Sequence, residues 1–377
     1  MVEAQVHTVI DNGTGYMKAG FSGEEAPKAV FPTLIGKPHL GALLGSIKKD
    51  RLIGQEALEK LVIQEINHPI SKGEIKDWVD MENIWHHTFY NELRIQPEDH
   101  VVLLTDHPLT KSEQRIKMTE MMFEKFSIPG LFIISHSVLS MFSTGKTSGL
   151  VVDSGEELTY CVPIYEGYSF DTSIEKEELG GADLTRYLIS LLIQNRYAID
   201  TLAKQVIVND IKEKMCYVSE NYDSEVKESA NIKQISKYRL PDGEEFILDY
   251  EKFRCPEALF KPNLLENKEN VVGIHTLCNN AIKKSDLEIK KDLMANIVLC
   301  GGNTMFKGFC ERMNTELKVN STGNTINKIQ VVGFPERKYA CWIGGSILSS
   351  LSNFQYMWIT KQDYNEVGPE IVHKKCF

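Results

Sequence analysis

The chain predicts an α/β fold in which two similar lobes face each other across a cleft. Its length, an Asp–Gly turn that recurs after an apolar strand, and helical apolar spacing between strands all point there. At 377 residues it exceeds one ordinary domain of roughly 100–200 residues and suits two.

The repeat carries most of this expectation. Val9-Ile10-Asp11-Asn12-Gly13-Thr14-Gly15 is matched by Val151-Val152-Asp153-Ser154-Gly155. Each is an apolar strand that ends in Asp and runs into a glycine-containing turn, and each opens a long half of mixed character. Between them Met81, Ile84, Trp85 and Phe89 keep helical spacing, with Asp80 placed to cap. Ile207, Ile211, Met215 and Val218 keep it again. Asn296 to Cys300 reads as a buried strand running into Gly301-Gly302, and Leu240 to Glu244 reads as a turn. Pro38 to Lys49 reads as a mobile loop with exposed leucines.

Composition narrows the function classes. Hydrophobic residues at 42% and charged residues at 25% suit a soluble globular chain. A formal charge of -10 argues against nucleic-acid binding, which favours a basic stripe. Met1 to His7 has no basic region followed by an apolar core, so no signal peptide is expected. Cys341 to Thr360 is uncharged and span-length. Its glycines, serines, Asn353 and Gln355 read instead as buried strand, turn and helix, so no membrane span is expected. None of the eight cysteines forms a C-x-x-C pair, which suggests reduced thiols in a cytosolic protein. His86 and His87 are adjacent and would point in different directions on a helix, which disfavours a metal site.

The glycine turns can hold a phosphate chain. Such a chain needs backbone N–H donors at close range, and Gly13 and Gly15 remove the Cβ that would block them. Thr14 adds a hydroxyl and Lys18 a cation, while Asp11 could hold a hydrated Mg²⁺. Tight turns without any ligand use the same residues. Asp153 and Gly155 repeat the arrangement, so the two turns could grip one nucleotide with both carboxylates near the metal. Gly301-Gly302-Asn303-Thr304-Met305 would let backbone pass beside an adenosine, with a helix N-terminus behind.

Longer segments carry a resemblance. Ala26-Pro27-Lys28-Ala29-Val30-Phe31-Pro32, Ile84-Trp85-His86-His87-Thr88-Phe89 and Phe253-Arg254-Cys255-Pro256-Glu257-Ala258-Leu259-Phe260 belong to it. So do Trp342-Ile343-Gly344-Gly345-Ser346-Ile347-Leu348 and Lys375-Cys376-Phe377. The chain resembles actin end to end. The resemblance implies two ribonuclease-H-like lobes around a nucleotide cleft, a clamp shared with sugar kinases and heat-shock chaperones. It implies a small lobe over 1–144, with a loop subdomain at about 34–70. It also implies a large lobe over 145–337, with an inserted subdomain at about 182–260, and a segment 338–377 returning to the small lobe.

It implies ATP or ADP with Mg²⁺ or Ca²⁺, the metal held through water by Asp11 and Asp153. Phosphate contacts fall to Asp11, Gly13, Thr14, Gly15, Lys18, Asp153 and Gly155, with Glu156, Glu157 and Leu158 in the same turn. Nucleoside contacts fall to Gly181, Lys212, Glu213, Gly302, Met305, Phe306 and Lys338. For Lys212 and Glu213 an exposed helical charge pair is the plain alternative. Implied partners are other actin or actin-like subunits, and actin-binding proteins at an apolar cleft near Phe142, Tyr168, Ile343 and Leu348. The implied setting is cytoplasm and cytoskeleton.

Departures from the family are informative. Glu157 stands where the family's turn has glycine, and would put a carboxylate beside an anionic ligand. His136 and Tyr160 stand where the family orients attacking water. Tyrosine is a poor base near neutral pH, whereas His136 is either a base or simply a polar residue at a helix start. Hydrolysis is therefore expected to be slow. Pro38 to Lys49 is shorter than the family loop, and the plug Leu264 to Val272 is longer and charged at its centre. Lys72 replaces a commonly methylated histidine, and only Glu3 remains of an acidic N-terminal cluster. A specialised assembling subunit is the first expectation. A freely polymerising divergent actin, and more remotely a small-molecule phosphotransferase, are the others.

Overall fold

The computed structural model describes residues 6–38, 50–60, 64–229, 235–240, 243, 245–319 and 328–376. The loop expected at Pro38 to Lys49 lies almost wholly outside them, as does part of the turn at Leu240 to Glu244.

The first sheet grows from β1 (Thr8–Asn12), β2 (Tyr16–Phe21), β3 (Ala29–Pro32), β4 (Val102–Asp106) and β5 (Gly130–Ser135). β1 and β4 are buried along their whole length, as parallel strands covered on both faces must be. The second sheet comprises β6 (Gly149–Ser154), β7 (Thr159–Tyr165), β8 (Tyr168–Ser169), β9 (Glu175–Glu177), β10 (Ile297–Cys300) and β11 (Val331–Val332). The chain then returns to the first sheet through β12 (Ile359–Thr360), antiparallel on β5.

The repeat seen in the sequence is thus a repeat of topology. The first sheet runs β12-β5-β4-β1-β2-β3 and the second β8-β7-β6-β10-β11, with β9 also on β7. In each, an antiparallel hairpin is extended by parallel strands on its first strand's free edge. Asp11 faces Lys18 across the first hairpin, and Asp153 faces Tyr160 across the second.

Helices set the spacing of the sheets. The relevant ones are α1 (Trp78–His86), α2 (His136–Phe142), α3 (Gly181–Gln194), α4 (Leu202–Met215) and α5 (Ala340–Ser350). α5 packs on α2 so closely that a Cβ at Gly344 would lie 1.8 Å from the Leu139 carbonyl oxygen. One apolar cluster joins Val9, Leu103, Leu139 and Trp342 to Val151 and Val298 of the second sheet. The two sheets therefore share a packed floor. A second cluster fills the other half around Leu184, Leu188, Phe260 and Phe309.

Three local expectations change. Asp77 caps α1, accepting from the Asp80 amide at 2.9 Å. Asp80 is instead fully buried and gathers Lys37 at 2.8 Å, Arg51 at 3.2 Å and Asn67 at 2.6 Å. Lys37 and Asn67 sit on the small sheet around Ile35–Pro38, and Arg51 directly precedes its strand Leu52–Ile53, which explains why a buried carboxylate is tolerated. α4 ends at Met215, before Val218. The uncharged stretch from Cys341 forms helix, then turn, then strand. Among the described residues, no helix is long and apolar enough to cross a membrane.

Candidate functional site

The ends of β1, β6 and β10 converge on a cavity of about 310 Å³, at the low end of the roughly 300–1,000 Å³ of ligand pockets. Asp11 is anchored on three sides. Lys18 Nζ is 2.7 Å from its Oδ2, while the Thr105 hydroxyl (3.0 Å) and the Cys341 thiol (3.3 Å) donate to Oδ1. Burial pushes this carboxyl up, but Lys18 beside it outweighs that and holds it low. Lys18 is likewise opposed by burial and raised by Asp11. Asn12 steadies the turn, donating to the Thr105 carbonyl at 2.8 Å and accepting from Trp85 Nε1 at 3.0 Å.

Asp153 has a different partner. His136 Nδ1 lies 2.8 Å from its Oδ2. Burial opposes charge on both, yet each stabilises the other, so Asp153 is held low and His136 raised. Tyr160, opposite Asp153, is pushed up by burial and by that carboxylate, so it stays a neutral phenol.

The third turn is tied onto the second. Gly301 has φ +86°, and a Cβ there would lie 2.3 Å from the Ser154 carbonyl oxygen. Asn303 Nδ2 donates to the Gly155 carbonyl at 2.7 Å. A 3-10 turn, Gly302–Met305, follows rather than the expected α-helix N-terminus. A Cβ on Gly302 would meet nothing within 4 Å, so the backbone there is open to a close-lying group.

Asp11, Gly13, Thr14, Gly15, Lys18, His136, Asp153, Gly155, Glu156, Glu157, Leu158 and Tyr160 line this one cavity, with Lys212, Glu213, Gly302, Met305, Phe306 and Lys338. Gly181 stands just behind it, its carbonyl accepting from Lys212 Nζ at 2.9 Å. Lys212 is buried and also donates to Thr185 at 2.9 Å, so it is not half of an exposed pair. Glu213 is exposed and reaches Lys338 at 3.8 Å. Glu156 Oε2 lies 3.4 Å from where a Gly15 Cβ would be, which brings the two Asp–Gly turns together. Burial raises its carboxyl.

Glu157 differs most from expectation. Its carboxylate accepts from the Lys72 amide at 2.5 Å and from the Ser71 hydroxyl at 3.4 Å. The charge is thus taken up by the hairpin Ile70–Ser71/Glu74–Ile75. Lys72 Nζ in turn reaches Glu178 at 2.7 Å. The charged centre of the plug is also held inward, with Lys268 Nζ 3.5 Å from Asp183.

Sequence reasoning missed Tyr16 and His107, which line the same cavity. Tyr16 lies under Lys338 Nζ, 5.4 Å from the ring centre, and burial lifts its phenol to about 12. Its place directly after Gly15 was a usable signal. His107 had none, because it arrives from β4, which no turn motif marks.

The donor set fits a nucleotide with a hydrated cation. Asp11 and Asp153 are ionised, Lys18 is charged, Gly302 leaves room for backbone contact, and buried imidazole nitrogens of His107 and His136 have no partner among the described residues. No group of three or more His, Cys, Asp or Glu among those residues could hold a metal directly.

The family model described as Actin matches residues 3–377, essentially the whole chain. That match, the duplicated sheets and the turns meeting between them agree, and the chain belongs to the actin family.

Proposed function

We propose that the chain is a nucleotide-binding actin-like cytoskeletal subunit. It takes ATP or ADP with Mg²⁺ or Ca²⁺ and acts by assembly into, on or alongside filaments or a fixed complex. The observation that carries this reading is the meeting of Asp11 and Asp153, from separate sheets, at one cavity. Asp11, Lys18 and Asp153 would hold cation and phosphates, while Glu213, Met305, Phe306 and Lys338 would flank the nucleoside. The lobes are 1–144 and 145–337, with 338–377 returning to the first.

Hydrolysis is slow in this reading, since Tyr160 is a neutral phenol and cannot take a proton from water. A cytoplasmic, cytoskeletal setting follows from the family. A freely polymerising actin is the second reading, and the exposure of Tyr168, Ile347 and Leu351 beside the buried Leu348 favours it. Such an apolar face suits a neighbouring subunit or the helix of an actin-binding protein.

Sedimentation with Mg²⁺, ATP and salt, after extraction of any bound nucleotide, tests both readings. Bound adenine nucleotide with co-pelleting on conventional actin is expected. Pelleting alone above a critical concentration selects the second reading, and a chain with no affinity for ATP or ADP defeats both.

A further inference from the structure

Two imidazoles stand at the inner wall of the cavity, and they are not equivalent. His136 gives its Nδ1 to Asp153, and its Nε2 is buried without a partner. His107 follows the end of β4, the parallel neighbour of the β5 strand that leads into His136. Both of its ring nitrogens are buried and neither has a partner among the described residues. The two rings meet edge to face, with centroids 4.5 Å apart, and Tyr160 lies 6.2 Å from each. A buried polar nitrogen left unpaired is costly, so three together call for an explanation. They line a cavity, so water or a ligand oxygen is the natural partner.

The two rings differ in which nitrogens are left over. His107 is kept neutral, since burial and the neighbouring His136 drive it down to about 3. A neutral imidazole has one N–H and one bare nitrogen, so it can accept from a water O–H. His136 is held by Asp153 through Nδ1, which leaves Nε2 as its one nitrogen without a partner among the described residues. His107, with both nitrogens unpartnered, is the ring better placed to take a water.

We propose that His107 positions the water that attacks the terminal phosphate of a bound nucleoside triphosphate, with His136, fixed by Asp153, as its neighbour at the same wall. This rests on the nucleotide reading above. In the reaction, the water oxygen forms a bond to the terminal phosphorus. The bond from that phosphorus to the bridging oxygen breaks, and its electron pair leaves with the diphosphate. The water proton passes to the released phosphate. His107 ends as it began, neutral.

The test uses the full chain with H107A and H107Q, comparing affinity for ADP, affinity for ADP with aluminium fluoride, and single-turnover phosphate release from Mg-ATP. H107A is expected to bind ADP as the parent does. It should lose affinity for the aluminium fluoride complex and release phosphate about tenfold more slowly or worse. H107Q, which keeps an acceptor, and imidazole added to H107A should each restore part of both. H107A with parental aluminium fluoride affinity and parental release overturns the proposal. A parent that binds ADP but never releases phosphate also overturns it, leaving the nucleotide reading intact. A parent that binds neither nucleotide defeats that reading itself. Should H107A fail to fold, H107F decides, since it fills the buried site without a nitrogen: slowed release with parental ADP affinity supports the proposal, and parental release overturns it.

Discussion

Asp11 and Asp153 hold the same register position in their hairpins, yet the cation that balances each arrives differently. Lys18 faces Asp11 across the hairpin, whereas Tyr160 faces Asp153 and the compensating charge comes from His136 on α2. A permanent charge therefore steadies one carboxylate and a titrating one the other. The imidazoles then pull stability in opposite senses. His136 is raised, so its contribution is complete below its ordinary value near 6.5 and fades as pH rises through its folded value. His107 is depressed to about 3, so the folded state refuses a proton that the unfolded chain accepts below 6.5. Its neighbours His136, Asp153, Asp11 and Lys176 are the charges that set this balance. Stability should thus fall between pH 6.5 and 3, by up to about 1.4 kcal/mol per pH unit from His107 alone. Urea midpoints at pH 7, 5.5 and 4.5 should show a shallower fall for H107N than for the parent. Equal slopes would mean that His107 already takes up its proton in the folded state.

At the scale of elements, the hairpin Ile70–Ser71/Glu74–Ile75 acts as a clasp over the cavity. Its turn places Lys72 at φ 50° and Gly73 at φ 74°, the pair of positive angles that a tight two-residue hairpin needs. That geometry aims the Lys72 amide at Glu157 and its ammonium at Glu178. Glu157 thus ties the turn after β6 to this hairpin. Replacing it with alanine should speed release of a fluorescent ATP analogue several-fold with little change in melting temperature, since the contact is exposed. Unchanged release would show that the clasp does not gate the cavity.

The elements also show what the sequence could disclose. The Asp–Gly turns after β1 and β6 were legible because strand, carboxylate and turn are neighbours in the chain. The direction of Glu157, the burial of Lys212 and the arrival of His107 beside His136 were not. Each depends on a partner many residues away: Lys72, Gly181 and α2. Asp80 shows the same limit, since its spacing suggested a cap while its actual partners sit on or beside another sheet.

Across the whole molecule, the cleft has an apolar floor and a polar mouth. The floor packs Val9, Leu139 and Trp342 against Val151 and Val298, with α5 and α2 in backbone contact at Gly344. The mouth is closed by Glu157 and by the exposed Lys72–Glu178 pair, which salt screens. Such a molecule should hinge at its floor and open at its mouth. A nucleotide and cation held by Asp11 and Asp153 would tie the lobes together above the hinge. A ligand at a hundred times its dissociation constant stabilises by about 2.7 kcal/mol, so stripping it should lower the melting temperature measurably. Hydrogen exchange before and after EDTA and apyrase treatment locates the change. Protection should fall at residues 70–75 and 153–160 and hold at Val9, Leu139 and Val151. Loss of protection at the floor as well would mean that the shared core cannot keep the lobes joined, and that the ligand holds the fold itself rather than only its closure.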